Sequence, residues 1–180
     1  MSTWTVDASE ITTTLQTYLG RPVPVFNAIL KIMHGMLQPT LEALGFPERT
    51  WPKGYHYAGE QLPALDAEDR WPIILVGGSV RTEEFGSSHL DELQVMVTCA
   101  WPPQIGRREF QEAFDVAAVA RGILRHPNFS GRFEDPDSEG KIIWGHCLPT
   151  GFRPVPANWP HYSGWIAEFM VRQYPNSNLW

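Results

Sequence analysis

A chain of 180 residues can bury one sizeable core and is short for two. Hydrophobic residues at 43% and charged residues at 19% describe a globular domain, so general disorder is excluded. The formal charge of −6, with Arg107-Arg108 the one adjacent cationic pair, excludes a general nucleic-acid surface, and no stretch approaches the roughly 20 apolar residues of a membrane span.

Residues 1–8 read as a flexible arm, polar and without the apolar run of a secretory leader, which predicts a soluble protein made in the cytoplasm. Ser9 is a reasonable N-cap for a weak helix over about 10–19, held back by three consecutive threonines and stopped at Gly20. Pro24 opens a second helix that runs to about Leu44, with Phe26, Ile29, Leu30, Met33, Leu37, Leu41 and Leu44 forming one apolar stripe. Pro39 predicts a kink or break near Leu37, and Gly45 closes the helix. Residues 46–70 form a long aperiodic connection of the kind that serves as a binding loop or arm.

Residues 71–76 predict a short buried strand, ended or bulged at Gly77-Gly78 and followed by a polar loop over 79–89. Leu93, Val95, Val97, Cys99 and Trp101 then alternate with Gln94, Met96, Thr98 and Ala100, a half-buried strand that Pro102-Pro103 ends. From about Arg108 to Arg125 a helix places Phe110, Ala113, Phe114, Ala117, Ala120 and Leu124 on one stripe, widened by Val116 and Ile123. Glu109 and Glu112 near its start and Arg121 and Arg125 near its end suit the helix dipole. A polar, acidic loop follows over 126–140, then a strand over 141–148, a proline-rich connection, and a last strand over 165–173.

This order predicts a single α+β domain over 1–180: an antiparallel (mixed) four- to five-stranded sheet, a long helix between strand pairs, and N-terminal helices packed on the sheet. Its second face, with Met96, Thr98, Ile143, Ile166 and Met170, is no plain solvent surface, which predicts a second layer from the N-terminal helix or from a neighbouring subunit. Eight tryptophans, several beside proline, suit loop anchoring or partner contacts as well as core filling.

Catalytic and metal signatures are weak. The six histidines show no metal-binding spacing, and His146 beside Cys147 on a strand would point to the opposite face. Cys99 and Cys147 each fall inside a strand, as buried free thiols of a reducing compartment would. Glu60, Asp66, Glu68 and Asp69 form a carboxylate-rich loop without the calcium-loop pattern, and Ser79, Ser87 and Ser88 lack a nucleophile elbow. No cofactor, metal or catalytic residue is assigned, and the expectation is a non-enzymatic protein.

The amphipathic N-terminal helix, then "RWPIILVGGSVRTEEFGSSHLDELQVMVTCAW", "REFQEAFDVAAVARGILRHPNF" and "HYSGWIAEFMVRQY" together resemble the tail terminator (tail completion, neck) proteins of long-tailed bacteriophages, over about residues 70–174. The chain departs from the usual small terminators in its longer N-terminal region and the 46–70 loop. The resemblance implies a structural virion protein of the tail or neck, assembled in the host cytoplasm. It implies a homo-oligomer, commonly a hexameric ring, which caps the tail tube, stops its polymerisation and docks the head-tail connector or stopper. DNA would pass an acidic lumen without specific binding, and no membrane is involved. Interface candidates are Arg81, Glu83, Glu84 and Phe85 of the 79–89 loop, Asp135 and Asp137 of the 127–140 loop, Trp159 and Tyr162 of the proline-rich connection, and Met96 and Met170 of the second face. Alternative readings are another neck component (head-tail connector or stopper), a secretion-system part, or a small hydrolase or ligand-binding α+β domain.

Overall fold

The computed structural model describes residues 22–59, 70–85, 88–134, 136 and 142–173, the side chains of 22, 23 and 80–91 excepted. The expected arm, the helix over 10–19, and Glu60, Asp66, Glu68, Asp69, Asp135 and Asp137 lie outside the described residues.

Helix α1 spans Pro22–Ala43 and buries Val25, Ala28, Ile29, Ile32, Met33, Leu37 and Leu41. The stripe is the expected one rotated slightly: Phe26 and Leu30 are half-buried at its edge, and Leu44 is exposed. Each fully buried aliphatic side chain contributes about 1.5–3 kcal/mol, which holds this helix far more firmly than propensity would. The expected break is absent, and α1 continues through Pro39. Proline removes one N–H to the carbonyl four residues back, at Gly35; both residues are exposed, so water can take that carbonyl while the Leu37–Leu41 stripe stays intact.

Of the expected 46–70 loop, the described residues 46–59 include regular structure. A 3₁₀ turn at Glu48–Thr50 leads into strand β1 (Gly54–Tyr57), which pairs in parallel with β2 (Ile73–Phe85). Strand β2 runs on through Gly77-Gly78 and through most of the expected 79–89 loop, and pairs antiparallel with β3 (Ser88–Trp101) in unbroken register from Ile73–Ala100 to Phe85–Ser88. Ladder hydrogen bonds use main-chain groups that polar residues supply equally well, so a polar stretch need not be a loop. The glycines permit close approach: Gly78 has φ +158, and a Cβ there would collide with the Gln94 carbonyl of β3.

Helix α2 (Arg107–Arg125) buries Ala113, Val116, Ala117, Ala120, Ile123 and Leu124. Phe110, expected inside, is 40% exposed, and Phe114 is half-buried. Both rings instead flank Trp165, at centroid distances of 5.4 and 4.9 Å. The expected acidic loop contains a short helix α3 (Pro127–Ser130) and strand β4 (Phe133–Glu134). The strand expected over 141–148 is two: β5 (Ile142–Trp144) pairs with β4, and β6 (His146–Pro154) pairs with β7 (Ser163–Gln173). Trp144 explains the division. Its ring stacks on Phe133 and its indole N–H donates to the Phe129 carbonyl at 2.8 Å, which ties β5 to α3 and β4.

The architecture is therefore α+β, with a mixed five-stranded sheet in the order β1-β2-β3-β7-β6 and a two-stranded β4-β5 sheet. One core joins α1 and α2 to Ile74, Val76, Val95, Val97, Cys99, Phe169 and Val171. Alternation along β3 and β7 puts these residues on one side of the sheet, so α1 and α2 lie on the same face. Helix α1 is thus not the second layer that the other face led one to expect. Ile143, expected on that other face, belongs to the helix-covered core.

Candidate interaction surfaces

Strand register shows which residues share the sheet face turned away from α1 and α2. Among the described residues the β6 side of that face is free of helix cover, while Thr98 and Ile166 on the face are buried. Successive rows across β3, β7 and β6 are Glu92–Arg172–His146, Gln94–Met170–Leu148, Met96–Glu168–Gly151 and Thr98–Ile166–Arg153. At one end Trp71, Ile73, Leu75 and Ala100 form a small buried cluster, with Tyr162 packed against it. Away from that cluster, Met96 and Met170 are half-buried and Leu148 is 45% exposed. Two ion pairs border these apolar side chains: Arg153 Nε to Glu168 Oε1 at 2.7 Å, and Arg172 Nε to Glu92 Oε1 at 2.8 Å. An apolar centre inside a charged margin is the anatomy of an interface patch.

Arg81, Glu83, Glu84 and Phe85 fall on β2 where it pairs with β3, and their side chains lie outside the described set. β3 leaves β7 at Asp91, so from Leu90 to Ser88 its described partner is β2 alone. Among the described residues the hairpin tip is a two-stranded ribbon. Such a ribbon is marginal in water unless something packs on it.

Trp159 and Tyr162, expected together as anchors, have different positions. Tyr162 packs on the buried cluster, and burial pushes its hydroxyl pKa up. Trp159 is 46% exposed, edge-on to His161 and Tyr162 at 5.6 and 6.1 Å. Its loop is braced by a turn in which the Trp159 N–H donates to the Pro156 carbonyl. Ser163 Oγ, at the foot of the connection, donates to the Pro102 carbonyl at 2.6 Å, which holds the loop at the end of the sheet where α2 begins.

A groove that sequence reasoning missed lies at the other end of α2. Met36 of α1 and Leu44, just past its end, form one wall, Val119 and Ile123 of α2 the other, with Phe129 of α3 also in the lining; its volume is about 560 Å³. Met36 is 43% and Leu44 60% exposed, although both continue the apolar stripe of α1. The usable signal was that stripe: it extends past the core residue Leu41 to Leu44. His126, also in the lining, accepts a hydrogen bond at Nδ1 from the Asn128 N–H at 3.3 Å.

Among the described residues, chemistry-bearing groups form no metal-binding cluster. Cys99 and Cys147 are free and buried, and burial pushes both thiols up to about 12, so they are poor nucleophiles. His146 is exposed while its neighbour Cys147 is buried, as expected for opposite sides of a strand. Among the described residues no helix is long and apolar enough to cross a membrane. No protein-family model matches the chain, and no curated protein matches it.

Proposed function

We propose that this protein is a structural subunit of a phage tail, a terminator that forms a ring, caps the tail tube and joins it to the neck. The observation that carries the reading is the free sheet face. The two long helices, α1 and α2, pack on the opposite side, while Met96, Met170 and Leu148 sit between two ion pairs on this one. The two-stranded hairpin tip supports the same reading, because a ribbon of this kind gains stability from a neighbour. A subunit with unlike patches builds head-to-tail contacts, which close into a ring when the rotation permits. Its chemistry is then contact and closure. The tube protein and the connector or stopper are the proposed partners, beside further copies of the chain.

The test is the mass of the purified protein by light scattering, with negative-stain images of the same peak and of tail tubes mixed with it. Closed rings that cap tube ends are the expected result. Monomers that leave tube ends bare overturn the reading.

A further inference from the structure

We infer that Trp159 of one copy seats in the α1–α2 groove of the next, so that the ring closes through a knob at one end of α2 and a socket at the other. This rests on the ring reading above and names its contact.

Knob and socket cannot meet within one molecule. The groove includes Ile123 and His126 at the C-terminal end of α2. The Trp159 loop is fixed through Ser163 to Pro102, beside the helix's N-terminal end. Val119 and Ile123 lie twelve and sixteen residues from the start of α2 at Arg107, which separates the two by about 18–24 Å along the helix. Unlike patches at opposite ends make a heterologous contact, the kind that repeats around a ring.

The two surfaces match in charge. Residues 156–160 read Pro-Ala-Asn-Trp-Pro and bring no ionisable group. The groove is lined by Met36, Leu44, Val119, Ile123 and Phe129, with the polar Thr40, His126 and Asn128 beside them. Docking therefore strips water from no carboxylate, ammonium or guanidinium, and the indole N–H meets polar groups at the margin. Trp159 suits an anchor: it is large, amphipathic and already braced by its turn and by Tyr162, so little rotamer freedom remains to be lost.

Buried area decides between a pair and a ring. An indole buries about 150–250 Å², whereas a stable two-protein interface buries on the order of 1,200–2,000 Å² in total. One such contact therefore holds a pair only weakly, while a closed ring repeats it at every subunit and leaves no free end.

The experiment compares full-length wild type, Trp159→Ala, Gly122→Trp and an equimolar mixture of the two variants, by light scattering and sedimentation across concentration. Gly122 lies in the groove lining and a Cβ there meets nothing within 4 Å, so a side chain can start from it without a clash and its indole competes for the socket. Wild type is expected to assemble, and each variant alone to associate roughly thirtyfold more weakly or worse, as for a lost hot spot. The mixture is expected to go no further than weak dimers, populated at the highest concentrations, because Trp159→Ala offers only the socket and Gly122→Trp only the knob. Circular dichroism checks folding, and Leu44→Glu, at a side chain 60% exposed, is the second groove variant should Gly122→Trp unfold. Variants that assemble as wild type does overturn this contact and leave the ring reading standing. The same holds if only the groove variants lose tube-end binding, since the groove then belongs to another partner. A wild type that stays monomeric at every concentration, with tail tubes present or absent, overturns both.

Discussion

Strand β7 carries two environments on its two sides. Ala167, Phe169 and Val171 are wholly buried under the helices, whereas Glu168 and Met170, one residue along, are half-buried on the open side. The contrast holds over 167–171; nearer the loop end Ile166 is 8% exposed although it faces the open side, and Trp165 is half-buried on the helix side. Over 167–171 a side chain on the helix side loses all its water contact when the chain folds. One on the free side keeps part of it until something else arrives. Folding stability should therefore concentrate on one side of β7, and association on the other.

The largest expected contrast is between adjacent residues. Phe169→Ala should cost about 3–5 kcal/mol in denaturant unfolding, since it empties a fully buried ring position. Met170→Ala should cost less than about 1 kcal/mol in the free subunit and weaken assembly instead. Equal losses of stability would mean the free face is as much core as the other.

Glycines give the next contrast. Gly78→Ala should destabilise by more than about 1 kcal/mol, because φ is +158 and the added Cβ meets the Gln94 carbonyl. Gly35→Ala in α1 meets open space and should stabilise by about 0.5–1 kcal/mol. Thermal midpoints moving in opposite directions are the expected readout.

The covered side also sets a pH dependence. Cys99 and Cys147 rise from 9.0 to about 12 because burial disfavours the thiolate. The folded state then holds these protons more tightly than the unfolded chain. Their stabilisation is complete below pH 9 and is lost as the pH climbs towards 12, on the order of 1 kcal/mol per pH unit for each thiol. Urea midpoints measured from pH 8 to 11 should fall only above pH 9, and thiol reagents at pH 8 should label the protein only as it unfolds.

Sequence patterning made the covered side legible and left much of the rest dark. The alternation of Leu93 to Trp101 and the stripe from Ala113 to Leu124 are burial patterns, and burial under the helices is what they recorded. The hairpin arm over 79–85 is held by main-chain pairing, which leaves no apolar trace in the sequence. Strand β1 depends on a parallel partner nineteen residues away, and the division at Gly145 depends on where the Trp144 ring finds Phe133. The groove is set by how two helices cross, which neither helix encodes alone. Of the expected contact residues, Met96 and Met170 do share one patch, and Trp159 and Tyr162 divide into an exposed ring and a half-buried anchor.

The smallest expected effect discriminates most sharply between a free face and a covered one. Arg153 and Glu168 meet at 2.7 Å with side-chain exposures of 46% and 16%. In a subunit whose free face stays in water, Glu168→Gln should cost only about 0.2–1 kcal/mol, and added salt should erase most of it. If a neighbour covers this face on assembly, the pair is desolvated, and removing one partner strands a buried charge at about 3–5 kcal/mol. The same substitution should then be nearly silent in subunit unfolding and severe in assembly, with little salt dependence in the second. A small, salt-sensitive effect in both measurements would show that the face remains in water after assembly, and the contacts that build the ring would have to be sought at the two ends of α2.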